Sequence, residues 1–95
     1  GDYSVESDFV FYSDSLIHTL ISVSYTYTAD SKAVADEIFD NLKEKMKGYI
    51  NKPRCDFRTT ENTVFADYSP DGAIGVDVSM TRVGTKIWIN ANRVG

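Results

Sequence analysis

One stretch of the chain has the periodicity of an amphipathic helix. Its apolar residues recur every three or four positions, as Val34, Ile38, Leu42, Met46 and Tyr49. This spacing places them on one face of a helix, which Ala35 and Phe39 widen. We predict that Val34, Ile38, Leu42 and Met46 are buried. Asp30 or Ser31 can accept hydrogen bonds from the free N–H groups of the first turn. Acidic residues come early and lysines late, as the helix dipole favours. The pattern predicts a helix over residues 31–47.

Before and after this helix, apolar and polar residues alternate with the period of a β-strand. We predict a short strand in the aromatic run 9–12, a longer strand over 16–28, and four strands after the helix, the first two over 54–59 and 63–68. Residues 1–7 are polar and are expected to form a flexible tail or the fraying start of a strand.

Turn chemistry suggests how the last strands pair. Ser69-Pro70-Asp71-Gly72 is typical of a type I turn followed by a glycine bulge, which would pair Ser69 with Ala73. Matching apolar residues across the final hairpin puts Met80 opposite Ile87 and Val78 opposite Ile89. In that register Trp88 lies beside Ser79, and Phe65 lies beside Asp77.

The predicted fold is a single α+β domain over residues 1–95, with the order β-β-α-β-β-β-β. The helix packs on a curled antiparallel sheet. A long helix followed by a four-stranded meander resembles the cystatin-like topology in element order. The glutamine-valine-glycine inhibitory loop of cystatins has no match in this sequence, so the resemblance implies no cystatin activity.

Composition excludes several classes of protein. The chain has 95 residues, of which 42% are hydrophobic and 25% charged, as in globular domains. Its net charge is −4 and its basic residues are scattered, so we expect no nucleic-acid partner. The apolar runs are too short for a transmembrane segment. A first residue other than Met fits a processed or trimmed chain, which slightly favours an exported over a cytoplasmic protein.

Residues suited to catalysis are few. Cys55 is the only cysteine, so the chain forms no internal disulfide, and the thiol is expected to be a small buried hydrophobe. His18 is the only histidine and lies in a predicted strand, where nothing places a nucleophile beside it. No cofactor motif is present. The sequence therefore predicts a protein that is not an enzyme and has no cofactor.

A partial calcium-loop pattern surrounds the predicted turn. Asp67, Ser69 and Asp71 occupy the first, third and fifth positions of such a loop, and Gly72 the sixth. The twelfth position is Val78, where a calcium loop needs a bidentate glutamate. These three candidates are therefore interpreted as parts of an ordinary turn, with no metal bound.

The remaining candidate is a surface. On the sheet face opposite the helix, alternation places Phe65, Asp77, Ser79, Trp88 and Asn90. Large aromatic residues are enriched in binding interfaces. Either the strand over residues 9–12 or a second copy of the chain is expected to shield Trp88.

We therefore expect a non-catalytic binding or interaction domain of an exported protein, such as a lipoprotein, acting on a protein partner or by self-association. One alternative is a small acidic inhibitor or immunity-type protein, which blocks an enzyme by charge complementarity. A small enzyme is the second alternative.

Overall fold

The computed structural model of the protein describes residues 2–13, 18–49, 55–68 and 75–94. Its elements follow the predicted α+β order β-β-α-β-β-β-β. They are β1 (Tyr3–Ser13), β2 (His18–Ala29), α1 (Lys32–Tyr49), β3 (Cys55–Thr59), β4 (Thr63–Tyr68), β5 (Gly75–Val83) and β6 (Lys86–Val94).

The six strands form one open antiparallel sheet in the order β1-β2-β6-β5-β4-β3. The last four strands form a meander in which each pairs with the next. β6 also pairs with β2, from Ser22 opposite Asn92 to Thr28 opposite Lys86. β6 therefore joins the N-terminal hairpin to the meander.

The helix begins where its cap predicts. The Ser31 hydroxyl accepts a hydrogen bond from the backbone N–H of Val34 at 3.2 Å, which satisfies one of the free donors of the first turn. The helix ends two residues beyond the predicted residue 47. It crosses the sheet over β2 and β6.

The core lies between α1 and the middle of the sheet. It is a cluster of buried apolar residues, Ala29, Ala35, Phe39, Val64, Met80 and Ile87. The four helix residues predicted to be buried, Val34, Ile38, Leu42 and Met46, are only partly buried around this cluster. Ala35 and Phe39 lie at its centre. A single helix about 10 Å wide cannot cover a six-stranded sheet, so residues at the sides of its apolar face stay partly exposed.

Two hairpin registers differ from the expected ones by two residues. Met80 lies opposite Ile89, not Ile87, and Val78 lies opposite Ala91. The loop is the two-residue Gly84–Thr85 turn, in which Gly84 has a φ of 61°, a conformation that favours glycine.

In the preceding hairpin, pairing Ser69 with Ala73 implies Ala66 opposite Val76, whereas Ala66 lies opposite Val78. The turn residues 69–74 are outside the described part of the chain. A slip of two residues keeps every side chain on its predicted face.

Of the two alternatives for residues 1–7, residues 3–7 form the start of a strand and not a tail. β1 begins at Tyr3, which lies opposite Ala29, and residues 3–7 are all paired with β2. The backbone N–H of Asp30 also donates to the carbonyl of Asp2 at 2.9 Å. These hydrogen bonds hold β1 along its length. In the strand order, β1 is one edge of the sheet.

Candidate binding surface

The face of the sheet that lacks the helix is called here the outer face. Pairing between strands aligns its side chains in three rows that cross the sheet. The first row is Thr63, Thr81, Trp88, Thr26 and Glu6. The middle row is Arg58, Phe65, Ser79, Asn90, Ser24 and Asp8. The third row is Asp56, Asp67, Asp77, Asn92, Ser22 and Val10.

All five residues predicted for this surface lie on the outer face. Phe65, Ser79 and Asn90 are direct neighbours in the middle row. Trp88 lies beside Thr81 in the first row, and Asp77 lies beside Asp67 in the third. The expected neighbours, Ser79 for Trp88 and Asp77 for Phe65, are wrong because the registers are shifted by two residues.

The two aromatic side chains of the outer face are partly exposed. Trp88 is 41% exposed and Phe65 is 40% exposed. They stand two strands and one row apart, which corresponds to about 12 Å. The expected shielding of Trp88 by residues 9–12 is wrong, because this segment belongs to β1, at the edge beyond β2.

Short polar side chains surround these aromatics. Most residues of the three rows are Ser, Thr, Asn or Asp, which have few rotatable bonds and whose backbone is held by the sheet. The Ser22 hydroxyl donates to the Asn90 side-chain oxygen at 3.4 Å. Hydroxyl and amide groups both donate and accept hydrogen bonds, so the outer face can bind hydrogen-bond donors and acceptors of a partner. Because these side chains are short, ordering them costs little side-chain entropy.

The third row begins with three aspartates on adjacent strands. Asp67 lies between Asp56 and Asp77 in this row. A hydrogen bond with Asp77 raises the pKa of Asp67 above its ordinary value, and desolvation and the negative charge of Asp77 add to the effect. Arg58 opposes this shift, with its guanidinium 3.7 Å from the Asp67 carboxylate. This corner of the outer face is acidic.

Arg58 also lies against the aromatic part of the outer face. Its guanidinium carbon is 5.7 Å from the centre of the Phe65 ring, within reach of a cation–π interaction. Arg58 thus lies between the Phe65 ring and the Asp67 carboxylate. The sequence signal for these residues is alternation, which places Arg58, Asp56 and Asp67 on the same face as Phe65; they were not among the residues predicted for this surface.

The two catalytic candidates lie far apart, and one of the three candidate metal residues lies in the described part of the chain. Of the calcium-loop residues, Asp67 is on β4, while Ser69 and Asp71 are outside the described residues. In the part of the chain that is described, no three His, Cys, Asp or Glu residues are grouped to hold a metal ion. His18 begins β2 and Cys55 begins β3. These two strands are separated by four strand spacings, or about 19 Å across the sheet.

Arg82 connects the helix to the sheet and was not among the residues predicted from the sequence. Arg82 points to the helix side of the sheet, where it donates to Asp36 of α1 at 3.1 Å. It also donates to the Glu61 carbonyl at 2.9 Å and to the Asn62 side-chain oxygen at 3.1 Å. Arg82 has the same strand parity as Met80 and Val78, and this was the available signal.

These observations describe an acidic, hydroxyl-rich and amide-rich sheet face with two partly exposed aromatic side chains. Within the part of the chain that the structure describes, α1 does not contain an apolar stretch long enough for a helix to cross a membrane. Comparison of the chain with protein-family models, with curated proteins and with solved structures finds no match in any of the three.

Proposed function

We propose that the protein is a non-catalytic binding domain and that the outer face is its binding surface for a partner protein. The observation that supports this most is the pair of partly exposed aromatics, Trp88 and Phe65, on a rigid face of short polar side chains. The combination of rigid aromatic anchors with Ser and Asn side chains is also found in the binding loops of antibodies.

The two aromatics suffice as anchors. At about 40% exposure, each ring offers about 60–100 Å² for burial, which corresponds to about 2 kcal/mol of binding free energy. This is the size of effect that defines an energetically dominant interface residue.

The area is also sufficient. The molecule measures 44 × 32 × 17 Å along its principal axes, so its broad face exceeds the about 800 Å² that each partner contributes to a standard interface.

The partner can be captured by a photo-reactive residue at Asn90, in the centre of the outer face. The same residue at Glu44, on the exposed side of α1, is the control position. We expect a specific adduct only from Asn90, which mass spectrometry of the adduct identifies. Equal labelling from both positions would contradict the assignment of the surface.

Affinity for the purified partner then provides the quantitative test. We expect Trp88→Ala and Phe65→Ala each to weaken binding at least about tenfold, since 1.4 kcal/mol is tenfold in Kd. Val76→Ala is the matched control, because Val76 is a 41% exposed apolar residue on the opposite, helix side of the sheet. Binding that is insensitive to both aromatic substitutions would refute the proposal.

The acidic corner supports a second candidate, a small inhibitor or immunity-type protein that blocks a basic site of an enzyme. Asp56, Asp67 and Asp77 concentrate negative charge on three adjacent strands. Charge complementarity of this kind speeds association and weakens with salt. We expect Asp56→Asn with Asp77→Asn to lower the association rate and reduce its salt dependence. An association rate independent of salt would exclude this candidate.

A further inference from the structure

The protein exposes more surface than a folded monomer of its length. Its accessible surface is 6536 Å², whereas a folded chain of 95 residues exposes about 5,500 Å². Its radius of gyration is 14.7 Å, against about 12.4 Å for an average domain of this length. The surplus of about 1,000 Å² is close to the about 800 Å² that one partner buries in a standard interface.

Much apolar surface is exposed on the helix side of β1. Tyr3, Val5 and Phe9 face this side, since they lie opposite Ala29, Tyr27 and Val23. They are 51%, 44% and 48% exposed, respectively. α1 packs on β2 and β6, so in the described part of the chain the helix does not bury the side chains on the helix side of the edge strand β1.

A groove of about 320 Å³ separates α1 from the β1–β2 hairpin. The rings of Tyr3 and Tyr27, whose centres are 5.9 Å apart, line it on the strand side. Val34, Ile38 and Leu42 line it on the helix side. We use the name groove surface for this groove together with the exposed apolar side chains of Tyr3, Val5 and Phe9 on β1.

The charges that border the groove are self-complementary. Glu37, Asn41 and Lys45 are exposed and line the groove at intervals of four residues. This spacing puts them in one stripe along the helix, with about 12 Å between Glu37 and Lys45. A twofold axis beside Asn41 brings Glu37 of each copy opposite Lys45 of the other, as an isologous interface requires.

We infer that the groove surface binds a second copy of the chain and forms a twofold-symmetric dimer. The apolar contacts of Tyr3, Val5 and Phe9 provide the buried area, and the two Glu37–Lys45 pairs set the antiparallel orientation of the helices. The outer face remains free in this dimer, so that each copy keeps the surface described under the proposed function.

Charge reversal tests this inference without altering the core, because Glu37 and Lys45 are exposed. Sedimentation velocity is measured from about 1 mM to about 1 μM protein, the range of weak and moderate affinities. We expect wild-type protein to dimerise. Glu37→Lys and Lys45→Glu should each weaken the dimer about tenfold, because two attractive pairs become repulsive.

Recombination of the variants gives the specific readout. An equimolar mixture of Glu37→Lys and Lys45→Glu restores both attractive pairs, so it should form a heterodimer. The double variant should dimerise as wild type does. Trp88→Ala, on the outer face, should leave dimerisation unchanged.

Three results would overturn the inference. If the wild-type protein stays monomeric at every concentration, the groove surface does not bind a second copy of the chain. Charge-reversed variants that dimerise like wild type, or a mixture that fails to restore association, would exclude the Glu37–Lys45 pairing. Dissociation by Trp88→Ala would place the dimer contact on the outer face.

Discussion

Arg82 joins α1 to the turn between β3 and β4, and its replacement by methionine tests that connection. The side chain is 14% exposed, and its guanidinium lies 3.1 Å from the Asp36 carboxylate. The same group stands 4.5 Å from the centre of the buried Phe39 ring. Methionine retains an unbranched apolar stem against Phe39 but removes the charge and every hydrogen bond of the guanidinium.

The expected loss follows from these contacts. The ion pair with the partly exposed Asp36 contributes about 1 kcal/mol. The hydrogen bonds to Glu61 and Asn62 contribute about 0.5–1 kcal/mol each, because water can replace them at the exposed turn. The cation–π interaction with Phe39 adds about 1 kcal/mol. Since these contributions overlap, we expect Arg82→Met to lower the free energy of unfolding by about 2–3 kcal/mol.

Arg58→Met is the matched control for this measurement. Arg58 has the same kinds of partner, a carboxylate at 3.7 Å and a phenylalanine ring, but its side chain is 71% exposed. Such a surface contact is worth about 0.5 kcal/mol or less.

Urea unfolding of wild type and both variants, with equal m-values, gives the comparison. If Arg82→Met costs no more than Arg58→Met, the assignment of Arg82 as the connection between helix and turn is wrong.

Three further results are expected. Phe39→Ala should cost about 3–5 kcal/mol and Leu42→Ala clearly less, because Phe39 is fully buried and Leu42 only partly; equal losses in urea unfolding would contradict this core. Gly84→Ala should cost about 1 kcal/mol through its positive φ alone, since a Cβ there meets nothing within 4 Å; an unchanged midpoint of urea unfolding would contradict this. The raised pKa of Asp67, due first to its hydrogen bond with Asp77, means that the native state holds this proton more tightly than the unfolded state. The resulting stabilisation is present below the ordinary pKa of 3.8 and is lost as pH rises through the raised value. Asp67→Asn should therefore gain stability relative to wild type as pH rises through this window, and a constant difference would refute the shift.

Periodicity could predict the elements and their faces, but it could not predict the pairing of strands. Alternation alone places Met80 opposite Ile87 or opposite Ile89 with the same side chains buried, because the two registers differ by two residues. The geometry of the Gly84 turn decides between them. The neighbours of Trp88 on the outer face depended on this register, so they could not be derived from the pattern.

The first strand shows a different limit. Tyr3, Val5 and Phe9 alternate with polar residues, as a strand requires. Ser7 interrupts the apolar series, and Glu6 and Asp8 give the segment a composition typical of a polar tail. Pairing with β2 outweighs this local composition. A partner cannot be predicted in the same way, because an exposed side chain follows no periodic rule that would reveal what it binds.

The position of β6 in the interior of the sheet determines when the molecule can assemble. Among the described elements, the β1–β2 hairpin is synthesised before all others, whereas β6, which pairs with the other side of β2, is synthesised last. Until those nine residues are available, the growing polypeptide has two separate half-sheets with open edges, and α1 lacks part of its support. Such intermediates are prone to aggregate. Successful folding in the cell therefore depends on late, long-range closure of the sheet by β6.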